Sequence, residues 1–291
     1  MTWIFLTLGA VLFQTFRNAF QSKLGAKVNT SGVTLARFLF APPIALVYLL
    51  GLYQFYSVSV PSFSMKFIGF VCISAVMQIV ATFLMVTLFK QKNFAVGAGL
   101  AKSEALVAAV LGTLFFGSQL SLLGWVGIVV GAVAVFVLSG ATRKGELSIK
   151  TALIGLACGG SFALTSLYVR EAAQLLDVPF PVSAAWVLLW VLCVQTALLA
   201  GYIAVKEPEV FGQLRRQLPL TLAASTTSCF GSMCWFSAMS IQYVAYVKTL
   251  GQVEVLTTML ISAWMLKTPV KRNEIAGLLL ISAATICVMW T

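Results

Sequence analysis

Ser103-Glu104-Ala105-Leu106 and Val253-Glu254-Val255-Leu256 each set one carboxylate in the middle of a long apolar stretch, at a constant offset of 150 residues. The same offset lays Gly9 on Gly159, Thr15 on Thr165, Ala95 on Ala245 and Gly127 on Gly277 without a gap. Identities at one offset also arise by chance, so the repeat rests more on the matched layout of apolar stretches and loops. Each half holds about five stretches of the roughly 20 apolar residues needed to cross a bilayer. An odd number of crossings forces the second copy to enter the membrane upside down relative to the first. That arrangement is an inverted repeat, the architecture of alternating-access carriers.

Composition points to the same solvent. The chain is 60% hydrophobic and 9% charged, whereas soluble proteins average about 25% charged. The expected fold is therefore an all-α membrane protein of ten transmembrane helices in two inverted five-helix repeats, residues 1–141 and 149–291. The spans read as about 2–23, 29–51, 67–89, 93–116, 120–140, 149–170, 181–204, 217–240, 243–266 and 272–290. Met1-Thr2-Trp3 carries no positive charge ahead of the first span, so no cleaved signal peptide is expected.

Loop charge sets the expected orientation. Lys23, Lys27, Lys90, Lys92, Arg143, Lys144, Lys150, Lys206, Arg215, Arg216, Lys267, Lys271 and Arg272 all follow odd-numbered spans. The opposite side has Lys66 and, at a helix end, Arg170. Positive loops stay in the cytoplasm, so both termini are expected outside, with Trp3 and Trp290 as interfacial anchors. The location this implies is the plasma membrane (a bacterial inner membrane), crossed many times. Loop topology also accounts for the net charge of +11, and without a basic arm no nucleic-acid partner is expected.

Several enzyme classes are excluded. Six cysteines lie in apolar stretches without metal or disulfide spacing, and there is no histidine. No metal or other cofactor is expected, and intramembrane hydrolysis lacks its groups. No GxxxxGK[ST] loop is present, so ATP does not drive the protein directly.

Six ionisable residues fall inside spans: Arg17, Arg37, Lys102, Glu104, Lys248 and Glu254. Each costs about 2.5–3.5 kcal/mol or more if left facing lipid, so each should face the bundle interior and pair. Glu104 and Glu254 either couple transport or tie helices. In a continuous helix Lys102 sits about 200° around from Glu104, so that pair does not form directly. The simplest reading has the glutamates tying helices and Lys102 and Lys248 facing the pathway; the alternative has the lysines neutralising carboxylates across helices. Gln14, Arg17, Asn18 and Gln21 recur at helical spacing as a polar stripe, which lines a cavity or bonds to neighbouring helices. Arg37 precedes Pro42-Pro43, which interrupt the helix ladder and free backbone carbonyls for Arg37 or the opposite repeat to satisfy. Trp186 and Trp190, four apart, with Trp235 and Tyr243 or Tyr246 in the next two spans, form an aromatic wall that serves either a ligand or packing. Gly124, Gly127 and Gly131, with Gly277 and Ala284, suit close helix packing.

Leu35-Ala36-Arg37-Phe38-Leu39-Phe40-Ala41, the carboxylate of Ser103-Glu104-Ala105-Leu106 and the glycines Gly124, Gly127 and Gly131 resemble the drug/metabolite transporter superfamily. The resemblance is to its ten-span branch of two EamA domains, over essentially the whole chain. Ala105 and Val255 stand where that family usually has a proline, and Phe13-Gln14-Thr15 replaces its tryptophan-glycine pattern. Its positive loop usually follows span two, so this chain reads as an orientation-reversed member. The resemblance implies secondary transport of a small organic metabolite, an amino acid or related compound, with efflux the expected direction. An anionic carboxylate- or phosphate-bearing metabolite held by Lys102 and Lys248 is the alternative. The expected partners are the substrate and the lipid bilayer, with the chain a monomer or homodimer.

Overall fold

A computed structural model describes residues 1–90, 101–138, 149–254, 257, 280, 283–284, 286–288 and 290. Every described element is a helix: α1 (Thr2–Gly25), α2 (Thr30–Phe38), α3 (Ala41–Phe55), α4 (Met65–Phe89), α5 (Glu104–Phe115), α6 (Leu122–Leu138), α7 (Ile149–Gln174), α8 (Val182–Lys206), α9 (Glu209–Arg216), α10 (Leu218–Ile241) and α11 (Val244–Gly251). Most of the expected spans 243–266 and 272–290 lies outside the described residues, as does Gly277.

Among the described residues, four segments are long and apolar enough to cross a bilayer: Thr30–Phe55, Met65–Leu88, Ile149–Gln174 and Val182–Lys206. Two further helices, α1 and α10, are 24 residues each. They are less apolar because they turn polar residues inward: Thr15, Arg17 and Gln21 on α1, and Ser225, Ser228 and Ser232 on α10, are buried. Outer faces here are the reverse of a soluble helix. Phe5, Leu8, Leu12 and Phe16 on α1, and Ile73, Val76, Val80 and Phe83 on α4, are exposed at helical spacing. Apolar stripes of that length pointing outward fit a hydrocarbon solvent, not water.

The helices pack in pairs that cross the chain's midpoint. α1 runs along α10, α4 along α7 and α3 along α8, while α5 contacts both α7 and α11. The main core between them includes Phe38, Phe67, Leu188, Leu192, Ile203 and Phe236. Gly127 packs where an added Cβ would lie 3.0 Å from the Ala284 carbonyl oxygen, and Gly124 backs onto the Tyr246 ring. These glycines let helices approach closely, as their spacing suggests.

The expected second span is two helices. Residues Leu39 and Phe40 separate α2 from α3, and the two prolines occupy the first turn of α3, where a missing N–H is harmless. The backbone groups freed by the break are met from α8 and α10. Thr196 Oγ1 donates to the Phe38 carbonyl at 3.0 Å, Phe40 N donates to Ser225 Oγ at 2.9 Å, and Cys229 Sγ lies 3.5 Å from the Ala41 carbonyl. Arg37 takes no part in this; its bonds go elsewhere.

Side-chain bonds close the two ends of the bundle. At one end Asn29 accepts from Gly32 N at 2.8 Å, capping α2, and donates to Glu207; Ser31 Oγ donates to the other oxygen of the same carboxylate at 3.1 Å. Lys27 reaches Gln217 and Lys90 the Val28 carbonyl there. At the other end Arg170 Nη1 donates to the Met239 and Gln242 carbonyls at 2.9 and 2.6 Å, and its guanidinium lies 5.1 Å over the Tyr243 ring. These are the last carbonyls of α10, which have no helical partner. Arg170→Ala strands two carbonyls and is expected to cost about 1–3 kcal/mol, read as a lower midpoint in thermal unfolding in detergent. An unchanged midpoint would mean that water replaces the guanidinium at no cost.

Candidate functional site

Both carboxylate-bearing stretches, around Glu104 and Glu254, are broken helices. Ala101 is helical, Lys102 and Ser103 form a turn, and α5 begins at Glu104; Gly251 is helical, Gln252 and Val253 form a turn, and Glu254 resumes the helix. The bonds repeat as well, Val107 N to Ser103 O at 3.0 Å and Thr257 N to Val253 O at 3.1 Å. In the second break, Gln252 N and Val253 N reach back only three residues, to Thr249 and Leu250. That tightening shifts the angular register of the residues beyond it. The expectation of one continuous helix through each stretch is therefore corrected. No proline marks either break, and among the described residues no positive-φ glycine does. Each glutamate stands in the first turn after its break, where unpaired N–H groups favour negative charge.

The two carboxylates exchange partners across the halves. Lys102 pairs with Glu254, and Lys248 lies 3.5 Å from Glu104. Each lysine thus neutralises the glutamate of the other half. These pairs are those of the reading in which the lysines neutralise carboxylates across helices. Gln14 also donates to Glu254, and Asn18 Nδ2 donates to its second oxygen at 2.7 Å. Arg17 reaches Asn18 Oδ1 through Nη2 at 2.9 Å, so it supports Glu254 through an intermediary. Three donors on one buried carboxylate leave little of its desolvation cost uncompensated.

Trp235, grouped by the sequence with the aromatic wall, instead joins the two pairs. Its indole N–H donates to Gln14 Oε1 at 2.9 Å, and its ring lies 4.4 Å from the Lys248 ammonium. A desolvated cation over an indole face is worth about 2 kcal/mol. Trp186 and Trp190 lie elsewhere, edge-on to Phe63, with Trp186 Nε1 bonded to the Tyr53 hydroxyl at 3.0 Å. The structure brings them together as a packing cluster and not with the charges. The two readings of the α1 stripe both hold, at different heights: Gln14 and Asn18 bond to Glu254, while Gln21 lines a cavity.

Arg37 is buried between α4 and α10. Nη1 donates to Thr82 Oγ1 at 2.6 Å and Nε to Ser228 Oγ at 3.1 Å. Beside it, Gln195 Nε2 donates to Gln78 Oε1 at 2.6 Å, and the Gln195 side-chain oxygen is buried without a partner among the described residues. The Ser103 hydroxyl and both polar side-chain atoms of Gln252, the two positions at the breaks, are likewise buried and unpaired there. Buried polar groups left unpaired are uncommon and concentrate where a structure does work. No cluster of metal-ligating side chains occurs among the described residues.

No family model and no curated protein matches the sequence. Shape is more informative: 28 solved chains match. One crystal structure covers 99% of this chain and 96% of its own, with a TM-score of 0.71 at 17% identity. A likeness at that identity speaks to the fold alone.

Proposed function

We propose that this chain is a secondary transporter of a small organic metabolite, a ten-span protein of the plasma membrane built as two inverted repeats. The observation that carries the reading is the pair of broken helices at the centre, each presenting a glutamate to the other half's lysine. Discontinuous helices that meet at the bilayer midplane are how inverted-repeat carriers build their sites. Support for the repeat comes from pairing as well. The partnership of α1 with α10 and that of α4 with α7 exchange under the 150-residue offset, while α3 with α8 maps onto itself.

The charges at the two ends support the orientation. Lys27, Lys90 and Gln217 gather at one end through their bonds, while Lys66, over Phe70, and Arg170 stand at the other. The crowded end is assigned to the cytoplasm, and the termini to the outside. Movement then consists of rocking one half against the other around the paired charges. The resemblance to EamA-type permeases favours amino acids and related metabolites as cargo.

Counterflow tests the reading. Proteoliposomes preloaded with unlabelled amino acid or organic acid should take up external labelled cargo faster than empty ones, and the rate should saturate. Flux that rises linearly with concentration and ignores internal cargo would make the protein a channel. No stimulated flux for any cargo would remove transport.

A further inference from the structure

Charge in the interior does not balance. Among the described residues, the span interior holds four cations, Arg17, Arg37, Lys102 and Lys248, and two carboxylates, Glu104 and Glu254. Both carboxylates already hold a lysine. Arg17 bonds to Asn18, which itself donates to Glu254. Arg37, 3% exposed, bonds to the Thr82 and Ser228 hydroxyls and lies 5.2 Å over the Phe38 ring, and no carboxylate pairs with it among the described residues. A buried guanidinium held by neutral hydroxyls and a ring is strongly disfavoured unless an anion joins it.

A cavity lies one helical turn along from both arginines' neighbourhoods. It has a volume of about 260 Å³ and opens between α1 and α4, lined by Gln21, Ser22, Gly25, Ala26, Val86 and Lys90. Gln21 stands one helical turn beyond Arg17, and Val86 one turn beyond Thr82, which holds Arg37. One turn is about 5.4 Å. Gln21 is 3% exposed and its Nε2 has no partner among the described residues, so a donor waits in the wall. The Lys90 ammonium stands at the mouth, held only by the Val28 carbonyl at 3.1 Å among the described residues. No carboxylate is among the described residues that line the cavity.

We propose that this cavity is a vestibule of the transport route, and that the cargo bears an anionic group, carboxylate or phosphate, which passes Lys90 and Gln21 and is held by Arg17 and Arg37. The inference rests on the carrier reading and names its cargo class. It also moves anion recognition from the lysines, which are committed to the glutamates, to the arginines.

The test uses the full-length protein in phosphatidylcholine nanodiscs, heated with glutamate, succinate, glycerol 3-phosphate, inorganic phosphate or the neutral diamide succinamide. At least one anion should raise the unfolding midpoint saturably, and succinamide should not. Arg37→Gln should abolish the shift and Arg37→Lys should keep part of it. Lys90→Gln, at an exposed position, should raise the half-saturating concentration about fivefold, the size of one exposed charge interaction. If Arg37→Gln fails to fold, Lys90→Gln and Gln21→Leu carry the test. No shift with any of the four anions, or a shift indifferent to Arg37, Gln21 and Lys90, overturns the inference. So does a shift seen only when phosphatidylglycerol replaces part of the bilayer, which would assign the cavity to a lipid headgroup. Counterflow of a neutral or cationic cargo unaffected by Arg37→Gln also overturns it while leaving the carrier standing; absent counterflow for every cargo removes the carrier itself.

Discussion

Lys102→Met alone is expected to destabilise the folded protein by about 3–5 kcal/mol, because Glu254 then stays buried with only Gln14 and Asn18 as donors. Glu254→Leu alone should cost a similar amount by orphaning the Lys102 ammonium. The double variant Lys102→Met/Glu254→Leu should recover most of that loss, since an apolar pair of similar volume often replaces a buried ion pair without cost. Thermal or denaturant midpoints of the four proteins form a double-mutant cycle, and the coupling should exceed about 1 kcal/mol. Additive effects would mean that the pair does not form. Counterflow by the double variant separates the two readings of the glutamates. Transport lost in a folded protein makes the pair part of the machinery; transport retained makes it a tie.

Gly159→Val is the second large effect. An added Cβ on Gly159 would sit 2.7 Å from the Ala101 carbonyl oxygen and 2.8 Å from Ser103 Oγ. The first is backbone in the break that presents Glu104, so it cannot step aside as a flexible side chain would. Overpacking of this kind costs about 1–3 kcal/mol, and the branched valine should lie at the upper end. Because α7 would be pushed off the break, the Lys248–Glu104 pair should loosen too, and counterflow should fall by more than stability alone explains. Gly160, the next residue along α7, has open space where its Cβ would go. Gly160→Ala should therefore leave both midpoint and flux near native values. Equal losses at 159 and 160 would contradict the packing described here.

The legible part of this chain was its solvent and its inventory of charge. Apolar stretches long enough to span a bilayer follow from composition, and among the described residues three stand as single helices and a fourth, Thr30–Phe55, as two in succession. The interior placement of Arg17, Arg37, Glu104, Lys248 and Glu254 follows from the cost of charge in hydrocarbon, and all five are buried. Who pairs with whom was not legible. Assigning the Lys102–Glu254 partnership needs the packing of α1, α5 and α11 around one point, which no local pattern encodes. The breaks at 102–103 and 252–253 carry no proline or left-handed glycine, so the helical wheel was drawn through a register that the backbone does not keep. The sequence groups Trp235 with Trp186 and Trp190 in one aromatic wall. Only its contacts with Gln14 and Lys248 set it apart from Trp186 and Trp190.

Cysteine accessibility at residue 18 tests the central claim most directly. Asn18→Cys is placed in a background whose six native cysteines are replaced, leaving Gln14 and Lys102 to hold Glu254. A membrane-impermeant thiol reagent is applied to vesicles of each orientation, with and without cargo. Reaction from both faces, with cargo changing the two rates in opposite directions, is the result expected if the paired charges sit at a centre exposed to alternate sides. A thiol that never reacts from either face, in a folded protein with cargo present, would contradict it and leave the cluster a sealed structural core.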